Sequence, residues 1–103
     1  MILLSKTREW LEAGRQIGKS VDYHKDGEEY WLTVGIQRWE GVYKLYISDV
    51  KMSEVYNEDA HFEEVTRINQ FEEIEPVLTS KTFVRLGELT PLKGQKIFNP
   101  RFD

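Results

Sequence analysis

The 103-residue sequence predicts an α+β fold: an N-terminal helix packed on an antiparallel meander of three to four strands, followed by a short C-terminal helix and an irregular C-terminal segment. An apolar stripe with helical spacing comes first in the chain. Two glycine-containing turns then separate three segments rich in apolar and aromatic residues. With 40% hydrophobic and 13% aromatic residues, the chain has enough apolar surface to form a core.

Residues 5–18 have the pattern of an amphipathic helix. Ser5 can act as the N-cap, because its hydroxyl can accept a hydrogen bond from a first-turn amide. Gly18 can end the helix, since glycine readily adopts the left-handed conformation found after helix C-termini. The apolar stripe consists of Leu4, Trp10, Leu11, Ala13 and Ile17.

Two dipeptides mark the hairpin turns of the meander. Asp26-Gly27 has the chemistry of a type I′ turn, in which both central residues take positive φ. Glu40-Gly41 is a weaker version of the same signal. Two-residue turns at both places predict strands over about 20–25, 28–39 and 42–51.

These turns also predict the register of the meander. The expected pairs are Lys25–Glu28, Tyr23–Tyr30, Val21–Leu32, Ile36–Leu45, Val34–Ile47 and Arg38–Tyr43. Opposed residues share a sheet face, so one face becomes largely apolar and should cover the core. A slip of one residue at either turn would scatter this apolar set over both faces.

The pattern is less regular after Met52. Residues 53–60 are expected to form a loop, and residues 61–68 fit a fourth strand about as well as a helical turn. As a strand, this segment would place Phe62 and Ile68 on one side and Val65 on the other.

A short or kinked helix is expected over about 70–80. Asn69 followed by Glu72 has the spacing of a capping box, and Pro76 removes a backbone donor. Residues 82–103 should form strand fragments and loop. The apolar residues expected to pack on the core there are Phe83, Leu86, Leu89, Leu92, Ile97 and Phe98.

The composition excludes several classes of protein. The chain has no cysteine, which removes disulfide frameworks and thiolate chemistry. Residues 1–4 are apolar, but the run is shorter than the core of a signal peptide, and no segment approaches the roughly 18 apolar residues of a membrane span. We therefore expect a single domain over residues 1–103, located in the cytoplasm, with no membrane partner.

No catalytic, metal or cofactor site is predicted. The two histidines, His24 and His61, lie far apart in the sequence, whereas a zinc site usually recruits at least two His or Cys ligands. Adjacent carboxylates such as Glu63 and Glu64 would both lie in water, whereas acid–base catalysis needs two different environments. No nucleophile elbow, P-loop or dinucleotide fingerprint occurs. We therefore expect a non-enzymatic protein without a cofactor.

Acidic residues are concentrated in one segment. Between Glu54 and Glu75 there are eight acidic residues and one basic residue, Arg67, which gives −7 in a chain whose net charge is −4. Such a concentrated field speeds encounters with basic partners. Apolar and aromatic residues alternate with the acids, which indicates an ordered surface and not a flexible tail.

These observations predict a protein-binding domain: an inhibitor or immunity-type protein whose acidic face masks a basic surface of a toxin or nuclease. Charge would raise the association rate, and aromatic residues would anchor the complex. The expected contact residues are Tyr56, Glu58, Asp59, Phe62, Glu63, Glu64, Glu72 and Glu73. In general character (small, acidic and cysteine-free) the chain resembles acidic bacterial immunity proteins. The oligomeric state stays open.

The alternative is a small-molecule site on the second sheet face, which carries Trp31, Trp39 and Tyr46. Gly35 opposite Tyr46 leaves space there for a ring. The same aromatic residues would otherwise lie under the C-terminal segment or a partner. A pI near 5.2 opposes phosphate binding, so no nucleic-acid partner is expected.

Overall fold

The computed structural model describes residues 4–57, 61–93 and 96–101. The elements in these ranges are α1 (Ser5–Glu12), β1 (Ile17–Lys25), β2 (Glu28–Trp39), β3 (Val42–Lys51), β4 (Phe62–Ile68), α2 (Ile74–Lys81) and β5 (Thr90–Pro91). The strands form one antiparallel sheet in the order β4-β3-β2-β1-β5. The α+β class is confirmed, but the predicted strand number was wrong, because the described residues contain five strands and not three to four. The additional strand, β5, is two residues long, lies in the segment predicted as strand fragments and loop, and pairs with β1.

Both predicted hairpin turns are confirmed. Asp26 and Gly27 have φ values of 53° and 80°, and Glu40 and Gly41 have 51° and 84°, as type I′ turns require. All six predicted cross-strand pairs occur in the register of β1, β2 and β3. The structure also resolves the open alternative for residues 61–68, which form β4 and pair with β3.

The first helix is shorter than predicted. It ends at Glu12, and Gly14 with φ of 80° turns the chain four residues earlier than Gly18. Ile17 and Gly18 belong to β1, where Ile17 pairs with Ile36 and is fully buried. The N-cap prediction was also wrong, since Ser5 is the first helical residue and no side chain of the described residues caps the helix. Packing against the sheet therefore outweighs the local helical pattern.

The second helix begins with a different cap from the predicted one. The amide of Gln70 donates to Oε1 of Glu73 at 3.1 Å, so the capping box lies one residue beyond Asn69–Glu72. A single-turn 3-10 helix at Phe71–Glu73 continues into α2. Pro76 is tolerated because it lies in the first turn of α2, where amide groups have few intrahelical acceptors.

The core lies between one face of the sheet and the segments that pack on it, namely α1, α2 and the 3-10 turn at Leu86–Glu88. Its fully buried members include Leu11, Ile36, Leu45, Ile74, Leu78, Leu86 and Leu89. Phe83 was expected in this core but is 57% exposed. None of the helices in the described ranges is long and apolar enough to cross a membrane.

Residues 96–101, which we call the strap, lie across the opposite face of the sheet. The ring of Phe98 stacks on Tyr46 with centroids 5.2 Å apart, and the guanidinium of Arg101 lies 5.8 Å from the centroid of Trp39. A β-carbon on Gly35 would lie 3.2 Å from Phe98 Cδ1, so this glycine allows the close approach. The strap therefore covers the half of this face near the β2–β3 turn.

Candidate functional site

The half of the sheet near the β1–β2 turn and the β3–β4 connection is less covered. Five large apolar residues of the described chain are exposed: Trp31 (44%), Val55 (37%), Tyr56 (99%), Phe62 (51%) and Phe83 (57%). All five lie at this one end of the molecule, which we call the open end, with Trp31 on the sheet face that carries the strap and Phe62 and Phe83 on the face that covers the core. Large apolar side chains gathered in one region commonly mark an interaction site, whereas single exposed ones need no explanation.

Sheet register and aromatic contacts show that these residues share one end. Trp31 pairs with Val50, and Phe62 pairs with Asp49, so both lie close to the end of β3. Phe83 packs edge-on against Tyr23, with centroids 5.2 Å apart, and Tyr23 pairs with Tyr30 near the start of β2.

The connection after β3 brings Val55 and Tyr56 to the same end. A 3-10 turn at Met52–Glu54 reverses the chain, and the amide of Asn57 donates to the carbonyl of Glu54 at 2.9 Å. Nε2 of His61 donates to the carbonyl of Val55 at 2.9 Å, which holds the two ends of the loop together. Tyr56 and Phe62 follow the two residues of this pair, so both anchors lie at the open end.

The acidic residues do not form the single face that the sequence predicted. Glu63 and Glu64 are adjacent in β4 and point to opposite faces of the sheet. Glu72 and Glu73 follow the far end of β4, about 20 Å from the Tyr56 loop by the rise of an extended strand. The predicted contact residues Glu58 and Asp59 lie outside the described residues.

Most of the described acids are engaged within the chain. Glu64 pairs with Lys81 at 2.6 Å, Glu72 with Arg8 at 3.7 Å and Glu75 with Arg85 at 2.7 Å. The hydrogen bond from Lys81, with a second from Thr66, holds the pKa of Glu64 below its ordinary value. Glu73 is used by the capping box. Glu54, in contrast, makes no ion pair with any described residue and lies at the open end.

Two partly buried tyrosines, Tyr46 beneath the strap and Tyr23 near the open end, each donate a hydrogen bond to a carboxylate. The hydroxyl of Tyr46 donates to Oε2 of Glu63 at 2.6 Å, and that of Tyr23 donates to Oδ2 of Asp49 at 2.6 Å. Burial and the bond to Asp49 raise the pKa of Tyr23 to about 12, and burial, with the bond to Glu63, raises the pKa of Tyr46. These hydroxyls are thus held protonated and act as structural donors.

The predicted ligand face is divided by the strap. Trp39 and Tyr46 lie beneath it, and the space beside Gly35 is filled by the ring of Phe98, which belongs to the chain itself. Only Trp31 of the predicted set remains on the uncovered half. The side chain of Gln16 holds the strap, since its Oε1 accepts from the amide of Ile97 at 2.6 Å and its Nε2 donates to the carbonyl of Phe98 at 2.9 Å.

Clefts border the strap on several sides. One, of about 450 Å³, lies between the α1–β1 turn and a group formed by Pro91, Leu92 and Lys96. Another, of about 330 Å³, is lined by Tyr46, Glu63 and the strap, and one of about 400 Å³ lies between Trp39 and the strap. No group of three His, Cys, Asp or Glu side chains within the described ranges is placed to bind a metal ion.

The sequence indicated Tyr56 and Phe62 as anchors, and the structure places both at the open end. The sequence did not indicate Val55 or Phe83 as exposed, because an isolated apolar residue in a loop has the same appearance in a sequence whether it is buried or exposed.

Comparisons with protein-family models, curated proteins and solved structures find no match to this chain.

Proposed function

We propose that this protein is a non-enzymatic protein-binding domain of the inhibitor or immunity type, and that it binds a basic protein through the open end. The observation that carries the proposal is the gathering at one end of all five large apolar residues that are exposed in the described chain. Interfaces rely on a few large side chains, with tyrosine and tryptophan prominent among them. Tyr56, with 99% of its surface exposed, is the central anchor.

The charge around this anchor supports a basic partner such as a toxin or nuclease. Glu54 lies two residues before Tyr56, and Glu58 and Asp59 follow it in the sequence. Rim carboxylates of this kind accelerate association with a positively charged surface, and their effect falls as salt is added. The acids at the far end of β4, Glu72 and Glu73, are assigned to the fold and not to this surface.

A comparison of matched variants tests the proposal. Immobilised wild-type protein should capture a basic protein from the native host, and Tyr56→Ala should abolish the capture. Arg15→Ala is the matched control, since it truncates another long exposed side chain, at the opposite end of the molecule. Capture of the same protein by wild type and Tyr56→Ala would refute the role of the open end.

Kinetics with the purified partner then test the electrostatic part. Glu54→Lys should lower the association rate about tenfold at low salt and much less at high salt. Glu9→Lys makes the same charge change on the exposed surface of α1, far from the open end, and should have a smaller effect. Equal effects of the two substitutions would show that only net charge matters.

A further inference from the structure

Among the strands of the described residues, β4 is an edge of the sheet, with β3 as its one neighbour. The two-residue turn after Trp39 makes Trp39 and Val42 a hydrogen-bonded pair, and such pairs alternate along antiparallel strands. Every second residue of β3 therefore directs its backbone groups toward β4, namely Tyr43, Leu45, Ile47 and Asp49. Their partners in β4 are Phe62, Glu64, Thr66 and Ile68.

The remaining β4 residues direct their backbone amides and carbonyls away from the sheet. They are Glu63, Val65 and Arg67, and their side chains all project from the face that carries the strap. No backbone hydrogen bond from another described segment reaches Glu63 or Val65 on this side. An edge with such groups is a template for another strand.

These three residues run along the edge in the order acid, apolar, base: Glu63, Val65, Arg67. This order is self-complementary. When two copies run antiparallel with Val65 opposite Val65, each Glu63 lies opposite an Arg67 of the other copy. The two-fold symmetry produces this contact twice. Opposite charges directly across a strand pair stabilise it, and like charges destabilise it.

We propose that two copies of this chain associate through β4, antiparallel and centred on Val65, to form one continuous sheet. The three opposed pairs would exchange about six backbone hydrogen bonds. Glu63 can take part because its bond with Tyr46 uses Oε2 and leaves Oε1 free to accept. Arg67 already has an interaction within its own chain, and the five N–H donors of a guanidinium allow it to serve more than one partner.

This arrangement goes beyond the proposed function and is compatible with it. The two open ends point in opposite directions, because the paired strands are antiparallel. Tyr56, Trp31 and Phe83 lie outside the paired strands and stay accessible in both copies. Phe62, which is 51% exposed, would lie opposite Ile68 of the second copy and lose part of its exposed surface.

Sedimentation equilibrium of the purified full chain tests the proposal. Wild type should approach twice the 12.2 kDa of one chain as its concentration rises. Glu63→Arg places two arginines opposite each other, and Arg67→Glu places two glutamates opposite each other. Each should weaken dimerisation at least about tenfold. The double charge exchange, Glu63→Arg with Arg67→Glu, should restore it.

A proline at the centre provides an independent test. Val65→Pro removes an amide that points away from β3, so the ladder within the chain keeps its hydrogen bonds. This variant should fold, as judged by circular dichroism, and sediment as a monomer, whereas Tyr56→Ala should dimerise like wild type. A monomeric wild type, or a folded double exchange that stays monomeric, would overturn the proposal. Single charge variants that dimerise as well as wild type would also overturn it.

Discussion

Phe98→Ala should release the strap from the sheet. The ring of Phe98 is 9% exposed, stacks on Tyr46 with an interplanar angle of 6°, and lies against the bare backbone of Gly35. Its amide and carbonyl are bonded to the side chain of Gln16 at 3.4 and 2.9 Å. Because the alanine side chain cannot reach Tyr46, the strap loses the stacking contact between Phe98 and Tyr46.

The expected loss follows from the burial of the ring. Substitution of buried phenylalanine by alanine costs about 3–5 kcal/mol, and the lower value suits a ring packed on a sheet surface that can partly relax. A loss of about 3 kcal/mol in the free energy of unfolding corresponds to a fall of roughly 12–24 °C in Tm for a domain of this size. Phe83→Ala, which truncates a ring that is 57% exposed, should cost only about 1 kcal/mol.

Urea unfolding followed by circular dichroism gives the free energies of unfolding for both variants. Acrylamide quenching in a Trp10→Phe, Trp31→Phe background adds a local measurement, because Trp39 then remains as the one tryptophan, lies under Arg101 and should become more accessible in Phe98→Ala. If Phe98→Ala loses no more stability than Phe83→Ala, and quenching is unchanged, the strap is not packed on the sheet as described.

Three further substitutions test the core-facing ion pair of β4 and the glycine contacts of the strap. Glu64→Gln should lower stability at pH 7 by about 0.5–1 kcal/mol, since its ion pair with Lys81 is only partly exposed. Because the folded pKa of Glu64 is lowered, its contribution is present above the unfolded pKa of 4.5 and is lost as the pH falls through the folded value. The free energies of unfolding of wild type and variant, measured by urea titration, should therefore converge once the pH lies below the folded pKa. Gly18→Ala should cost about 1–3 kcal/mol, because a β-carbon there would lie 2.6 Å from the carbonyl oxygen of Val34. Gly35→Ala should cost less, as its nearest neighbours at 3.2–3.3 Å are strap side chains that can shift; thermal melts in which Gly35→Ala is the more damaging variant would contradict these contacts.

The meander could be predicted because its signals are local. A dipeptide such as Asp26-Gly27 indicates the turn type, and the turn type determines the register of the two strands that it connects. The end of α1 and the position of β5 could not be predicted, because both depend on tertiary pairing. Ile17 continues the helical stripe in the sequence, yet it pairs with both Ile36 and Pro91 in the sheet.

Part of the candidate site could also be predicted from the sequence. Tyr56 and Phe62 lie in a segment without a strong structural pattern, where exposed anchors are expected. The bases that neutralise the acidic segment could not be assigned from the sequence. Arg8 reaches Glu72 from the first helix, and Lys81 reaches Glu64 from the second, so the predicted acidic face is dispersed by the fold.

Site-specific photo-cross-linking in the native host tests the central claim most directly. The protein would carry p-benzoylphenylalanine in place of Tyr56 or, as a control at the opposite end, in place of Arg15. We expect cross-links from position 56 to one basic protein and none to that protein from position 15. Equal cross-linking from both positions, or capture of no basic protein at position 56, would contradict the proposal that the open end is the binding surface.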